Sequence, residues 1–232
     1  EAVLEAACSA GRTALSEAEG KEILRAYGVN VPMEGLARNA DEAVALARRI
    51  GFPVVMKIAS PDIAHKTDVG GVAVGLDNEE KVRLEFERML SRVRSFLPNA
   101  VVNGVTVEGM FSGREVIVGM VRDEQFGPVI TFGLGGIFVE IMKDVSQAIA
   151  PLSERRVDDI IRSIKAYPIL AGARGRKRAD IPAVKDVLFR VAQIATDFPQ
   201  ITEFEINPVM VGDEGQGCGA VDALVTIRRD KR

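Results

Sequence analysis

The spacing of the hydrophobic residues changes near residue 100, and this change limits the folds that the chain can adopt. Residues 77–97 carry apolar side chains at helical spacing, whereas residues 101–132 carry them at alternate positions. The first pattern predicts an amphipathic helix, and the second predicts adjacent antiparallel strands. Because helical segments also precede and follow this region, we expect an α+β fold.

Helix caps mark two predicted helices before residue 77. Ser16 and Glu19 have the spacing of a capping box, and Asn39 or Asp41 begins the second helix, which ends at Gly51. Two apolar strands are then predicted, at residues 53–58 and 72–74. Two more helices follow residue 150, with apolar faces around 157–164 and 184–195, and residues 202–211 and 220–225 predict a closing hairpin.

This order of elements predicts two lobes with a cleft between them. We place an N-terminal extension at residues 1–15, a first lobe at 16–108 and a second lobe at 109–232. The boundary falls near Glu108, Gly109 and Met110.

Composition excludes several classes of protein. The net charge of −3 gives no general attraction to nucleic acid. No apolar run reaches the ~18 residues of a membrane span, and the N-terminus lacks the basic start of a signal peptide, so we expect a cytoplasmic protein without membrane contact. Cys8 and Cys218 lack the spacing of a zinc site, and we expect both to be unreactive thiols.

Lys57 interrupts the apolar strand 53–58. A lysine that faces a sheet interior costs several kcal/mol unless its ammonium group meets an anion. A phosphate contact and a lysine whose ammonium reaches solvent at the strand end are both compatible with this position.

Oxygen ligands recur near the C-terminus. Glu205 and Asn207 alternate on one face of a predicted strand, and Asp222 falls on the partner strand of the hairpin. Three such donors suit Mg²⁺, which also binds substrate phosphates. The alternative is that the two carboxylates are solvated and that Asn207 forms a turn before Pro208.

The single histidine, His65, lies between the Lys57 strand and Gly70–Gly71 in the stretch IAHKTDVGGV. Imidazole is a good nucleophile near pH 7, so His65 is a candidate phosphoryl acceptor, although loop histidines are commonly surface residues. Two weaker anion-binding candidates are the glycine cluster 133–136 and the basic loop Arg174–Arg178, for which a turn and a solvated charge run are the simpler interpretations.

Several segments in order resemble one family: ALSEAEGKEILRAYGVNVP, RRIGFPVVMKIASPDIAHKTDVGGV, FGLGGIFVEIMKDV, APL, GARG and EFEINPVMV. Together they resemble the ATP-grasp beta subunit of ADP-forming acyl-CoA synthetases of the archaeal acetyl-CoA type. The resemblance implies an ATP-grasp fold, with ATP or ADP in the cleft between the lobes and Mg²⁺ as cofactor.

The resemblance also implies roles for individual residues. Lys57 matches the lysine that contacts nucleotide phosphates, and Glu115 is expected near the nucleotide. Gly70 and Gly71 are expected to bring their loop close to the phosphates. The adenine-binding hinge matches Glu108, Gly109 and Met110, and the Mg²⁺ ligands match Asn207 and Asp222, with Glu205 nearby.

In this family the histidine at the position of His65 is implicated as a phosphoryl carrier. The resemblance therefore implies a relay in which a CoA-binding alpha subunit forms an acyl phosphate and then a phosphohistidine, and the phosphoryl group passes to ADP on this chain. Because only about ten residues follow Asp222, we expect CoA binding to require that partner, in an α2β2 heterotetramer.

One position departs from the family pattern, because Ala148 replaces a common arginine. The basic loop is a candidate for holding the anion that this arginine would meet. Two other functions stay open at this point: a stand-alone ATP-grasp carboxylate ligase, and a nucleotide-sensing module of a protein acetyltransferase. The presence of Lys57, His65, Asn207 and Asp222 argues against a degenerate sensing module.

Overall fold

The computed structural model describes residues 1–63, 66–136 and 142–228. The chain forms two compact units. The small unit is Pro32–Phe111, and the large unit combines Glu1–Val31 with Ser112–Arg232.

The small unit contains four strands and two helices among its described residues. Its strands form an antiparallel sheet in the order β1-β4-β2-β3. The elements are β1 (Glu34–Ala37), α3 (Ala40–Ile50), β2 (Val54–Ala59), β3 (Val72–Leu76), α4 (Glu79–Phe96) and β4 (Gly104–Gly109).

Both helices of the small unit pack on one face of its sheet. Val54, Met56 and Ile58 of β2 are buried against them, together with Val105 and Val107 of β4. Because successive side chains in a strand point to opposite faces, Val55 and Lys57 lie on the other face. The packing of the helices therefore decides which face of the sheet carries polar groups.

The large unit is built on a six-stranded sheet in the order β10-β8-β5-β6-β7, with β9 paired to β8. Every pair in it is antiparallel. Its strands are β5 (Arg114–Asp123), β6 (Gly127–Leu134), β7 (Val145–Ile149), β8 (Ile201–Val211), β9 (Cys218–Ala220) and β10 (Leu224–Ile227). Its helices are α1 (Ala2–Ser9), α2 (Glu17–Ala26), α5 (Glu154–Ser163), α6 (Tyr167–Leu170) and α7 (Ile181–Asp197).

A second core joins these helices to one face of the large sheet. Phe204 and Ile206 of β8 are buried in it, whereas Glu203 and Glu205 alternate with them and stay partly exposed. The longest described helix, α4, has 18 residues and a charged face, and no helix in the described part of the chain is long and apolar enough to cross a membrane.

Several local predictions are confirmed. Ser16 and Glu19 form both hydrogen bonds of the capping box, Asn39 caps α3, and the predicted strand 53–58 corresponds to β2. The predicted hairpin exists, with β8 pairing to both β9 and β10.

The predicted arrangement of strands needs two corrections. Val101 is 56% exposed and precedes β4, which begins at Gly104. Moreover, β4 pairs with β1 and β2 in the small unit rather than with β5, because its alternation is satisfied by the helices α3 and α4.

The expected lobe boundaries also differ from the compact units. Ile23 and Leu24 of α2 are buried in the core of the large unit, and the Leu15 amide donates to the Val225 carbonyl at 3.0 Å. Residues 1–31 therefore pack with the large unit, although we had assigned residues 16–31 to the first lobe and 1–15 to an extension. Long-range burial of one helix face determines this placement.

Candidate functional site

A buried ion pair joins two of the predicted site residues in the small unit. The Nζ atom of Lys57 lies 2.6 Å from Oε1 of Glu108, and both side chains are more than nine-tenths buried. Lys57 of β2 pairs with Thr106, so that Glu108, two residues further along β4, lies diagonally across from it on the same face. The pairing neutralises a lysine that would otherwise be costly to bury.

The face that carries this pair is opposite to the two helices of the small unit. Leu36 and Val74, on the strands at the two edges of this face, are 44% and 66% exposed. Gly109 and Met110 follow Glu108 directly, and the Gly109 amide donates to the Met33 carbonyl at 2.9 Å. The proposed hinge residues thus adjoin the ion pair, and Met110 lies two residues before Ser112, where the large unit resumes.

The turn with Gly70 and Gly71 is tied to both β2 and α4. The Ile58 amide donates to the Gly71 carbonyl at 2.7 Å, and Arg92 of α4 donates to the Gly70 carbonyl through Nη2 at 2.9 Å and Nε at 3.3 Å. Arg92 also pairs with Glu85. The backbone at Gly70 has φ +63°, and a Cβ there would lie 2.9 Å from Arg92 Nε, so only glycine fits.

His65 lies outside the described residues, and its role stays a prediction. The chain just after it is described: residues Lys66–Val69 form a 3₁₀ turn, closed by a 2.7 Å hydrogen bond from the Gly71 amide to the Lys66 carbonyl. The sequence did not single out Arg92, which is one of several arginines on a charged helix face.

In the large unit, Glu205 and Asn207 lie together at an irregularity of β8. Val116 pairs with Val209 and Val118 pairs with Ile206, so Asn207 and Pro208 together face the single residue Ile117. This is the pattern of a β-bulge, which turns side chains out of the regular alternation. The Asn207 Nδ2 atom donates to Glu205 Oε1 at 3.3 Å.

Asp222 is not on a strand, which corrects the sequence prediction. It lies in the connection between β9 and β10, where its Oδ1 accepts from the Ala223 amide at 2.8 Å. Ala220 pairs with Val209 and Leu224 pairs with Glu205, so the connection passes beside Asn207. The three oxygen-bearing side chains therefore belong to one small region of the large unit.

Glu115 opens β5, and the glycine cluster lies against it. The Gly135 amide donates to the Glu115 carbonyl at 2.8 Å, and Glu115 itself is exposed. Ala148, by contrast, is buried in the core of the large unit, on the helix side of β7. A side chain at position 148 thus points away from the face that carries Glu205, and the sequence did not indicate this.

The two cysteines are separate free thiols, as expected. Burial, with Asp180 and Asp186 nearby, raises the pKa of the Cys218 thiol to about 11. A thiol with so high a pKa is almost entirely protonated at neutral pH and reacts slowly.

Comparison with known proteins identifies the family. The model of the ATP-grasp domain matches residues 6–227. The chain belongs to the ATP-grasp family. The ATP-grasp fold and the family resemblance predicted from the motifs are therefore confirmed.

Relatives place the chain more narrowly within this family. It is 49% identical over 214 residues to the beta subunit of acetate–CoA ligase (ADP-forming) I from Pyrococcus furiosus, covering 92% of this chain and 91% of that subunit. It is 44% identical over 228 residues to the beta subunit of isoenzyme II from the same organism, with 97% of each chain covered. The chain belongs with the beta subunits of ADP-forming acetate–CoA ligases, and the predicted enzyme class is confirmed.

A longer relative contains the same ATP-grasp region. The acetate–CoA ligase (ADP-forming) I of Archaeoglobus fulgidus is 48% identical over 199 residues, which cover 85% of this chain but only 29% of that protein. In that relative, the matching region is thus joined to a larger polypeptide.

Solved structures of acetyl-coenzyme A synthetase 1 from Ca. Korarchaeum cryptofilum resemble the chain closely. One, in complex with coenzyme A and Ca-AMPCP, has a TM-score of 0.92 at 43% identity and covers 98% of this chain and 99% of its own. Another, with Mg-AMPPCP and a phosphohistidine segment pointing towards its nucleotide-binding site, has a TM-score of 0.85 at 40% identity, with 98% and 99% covered. ATP-grasp subunits this similar bind a nucleotide together with a divalent cation.

Proposed function

We propose that this chain is the nucleotide-binding beta subunit of an ADP-forming acyl-CoA synthetase. The overall reaction is acyl-CoA + ADP + phosphate ⇌ acid + ATP + CoA, and this chain transfers the phosphoryl group from phosphohistidine to ADP. The observation that carries the proposal is the Lys57–Glu108 pair, fixed on paired strands of an ATP-grasp chain. The names of the most similar relatives favour acetate as the acid.

Lys57 is the proposed contact for the nucleotide phosphates. Phosphoryl transfer depends mainly on positioning and on neutralising charge, and a lysine held by a buried carboxylate is both charged and oriented. Glu108, Gly109 and Met110 are proposed to hold the adenine, and Glu115 to lie near the nucleotide. The Gly70–Gly71 turn brings backbone groups near the phosphates.

Asn207, Asp222 and Glu205 fit a magnesium site. All three offer oxygen ligands, the donors that Mg²⁺ prefers, and the bulge of β8 brings Glu205 and Asn207 into contact. When bound, Mg²⁺ neutralises phosphate charge. Asn207 and Asp222 would hold it, and Glu205, which accepts from Asn207, would orient the amide.

The proposed partner is a CoA-binding alpha subunit, in an α2β2 heterotetramer. The support is that similar relatives are named as beta subunits, and that a longer relative carries the ATP-grasp region within 29% of its length. His65 is the proposed phosphoryl carrier between the phosphohistidine of the alpha subunit and ADP.

Reconstitution tests this function. The chain is mixed with the alpha subunit of an ADP-forming acetate–CoA ligase, acetyl-CoA and labelled phosphate, and the label is followed on each polypeptide before and after ADP is added. We expect acid-labile label on this chain, released to ATP by ADP and absent from His65→Ala. Thr67→Ala is the matched control, because it changes an exposed side chain in the same turn.

Two results would contradict the proposal. Full ATP synthesis by His65→Ala would remove the carrier role. Consumption of ATP by the isolated chain with an acid and an amine would favour a stand-alone ligase, and nucleotide binding without any transfer in the complex would favour a sensing module.

A further inference from the structure

A cavity of about 430 Å³ opens in the large unit beside the start of β5. Its walls come from β5, the turn after β6, α6 and the basic loop. The lining includes Arg114, Glu115, Gly135, Gly136, Ile169 and Arg176. Its volume lies in the range of small-molecule sites, so the polar groups on its walls indicate which ligand it would accept.

Arg114 is held in place by two of its three guanidinium nitrogens. Nη1 donates to Asp213 Oδ1 at 3.1 Å, and Nη2 donates to the Lys177 carbonyl. The third nitrogen, Nε, is buried and has no acceptor among the described residues. A buried donor without an acceptor is costly, and a ligand oxygen in the cavity would satisfy it.

Arg176 adds a second positive charge at the same cavity. The basic loop that carries it is bound to the segment after β8, since the Glu214 amide donates to the Arg178 carbonyl at 2.9 Å and the Asp180 amide donates to the Gly212 carbonyl at 3.0 Å. Arg176 itself is exposed and lines the cavity, whereas Arg178, two residues away, does not line it. The loop thus presents one arginine to this cavity.

Glu115 supplies an acceptor in the same cavity. Gly136 has φ +62°, and a Cβ there would lie 2.9 Å from Glu115 Oε2. Only glycine allows the turn to lie this close to the carboxylate. Two guanidinium groups and one carboxylate suit a ligand with both anionic oxygens and hydroxyl donors.

We propose that this cavity binds phosphoryl oxygens through Arg176 and the Nε atom of Arg114, while Glu115 accepts a hydrogen bond from a hydroxyl of the same ligand. The inference rests on the proposed function, because a nucleoside diphosphate combines phosphoryl and ribose hydroxyl groups. It gives Arg176 a binding role that distinguishes it from the other charges of the basic loop.

The test compares two arginines of the same loop. Binding of ADP, adenosine and inorganic phosphate to the full chain with Mg²⁺ is measured by calorimetry for the wild type, Arg176→Gln and Arg178→Gln. We expect Arg176→Gln to weaken ADP binding about tenfold, in line with loss of a charge-assisted hydrogen bond, and to change adenosine binding less than about twofold. Arg178→Gln removes the same charge, and we expect it to change neither by more than about twofold.

The arms separate the possible outcomes. Equal ADP affinity for the two variants would overturn the inference and leave the proposed function intact, whereas a wild-type chain that binds no ADP would count against the proposed function itself. Phosphate binding that is lost in Arg176→Gln would support the phosphoryl site with free phosphate as its ligand. Glu115→Gln is expected to weaken adenosine and ADP by similar factors, and an effect on ADP alone would contradict the hydroxyl contact.

Discussion

The two candidate charge clusters, one in each unit, are organised in opposite ways. Lys57 and Glu108 are buried on regular paired strands, where each charge neutralises the other. Glu205 and Asn207 lie at a bulge, where Asn207 is exposed and Glu205 is partly exposed. The first cluster is part of what holds its sheet together, whereas the second can change its ligands at little cost to the fold. Substitutions should therefore affect stability in one unit and binding in the other.

The largest effect is expected from Lys57→Met. Removal of one partner from a buried pair leaves a buried charge without compensation, which typically costs about 3–5 kcal/mol of unfolding free energy. Urea unfolding measures the loss, and ADP titration should show no binding. Lys81→Met is the matched control, since Lys81 pairs with Asp77 on the surface, where the loss should stay below about 1 kcal/mol. Equal stability of both variants would contradict the contrast between the clusters.

Asp222→Asn should have the next largest effect, on binding alone. Loss of a carboxylate ligand should weaken the Mg²⁺-dependent part of ADP binding roughly a hundredfold, because even partners outside the first ligand shell contribute 10- to 100-fold. Unfolding free energy should change by less than about 0.5 kcal/mol, as for other surface substitutions. The measurement is ADP affinity with Mg²⁺ and with chelator. An equal loss under both conditions would show that Asp222 does not act through the metal.

Arg92→Lys tests a link between the fold and the proposed carrier loop. Lysine keeps the charge but cannot donate to the Gly70 carbonyl from two nitrogens, so we expect phosphoryl transfer to slow about tenfold while ADP affinity stays within about twofold. Arg88→Lys on the same helix is the control. Guanidinium ion should restore part of the rate to Arg92→Ala, and a loss of ADP affinity without a loss of transfer rate would contradict a positioning role.

The smallest effect concerns an exposed pair that calibrates the buried one. Arg12 binds Glu19 and lowers the pKa of that carboxyl to about 2. Because the folded pKa lies below the ordinary value of 4.5, the stabilisation is present above pH 4.5 and is lost as the pH falls towards 2. Glu19→Gln should cost about 1 kcal/mol at pH 7 and less at pH 2.5, measured by urea unfolding. An unchanged difference at the two pH values would show that the cost is not ionic.

Local patterns predicted the elements better than their partners. The caps of α2 and α3 and the strand around Lys57 were all predicted, because each depends on residues close in sequence. The pairing of β4 with β1 and β2, and the packing of α2 in the large unit, were not predicted. Periodicity shows that a face is buried, but it does not show which element covers it.

The sequence by itself determined the family, the positions of Lys57, Asn207 and Asp222 in their motifs, and the alternation that puts Lys57 opposite the apolar side chains of its strand. Only the tertiary structure decided that Glu108 neutralises Lys57, that a bulge and a loop bring Asp222 beside Asn207, and that Arg92 holds the Gly70 turn. These contacts join residues 15 to 51 positions apart, and strand register and helix packing fix them. Register and packing are properties of the whole sheet, so local spacing does not contain them.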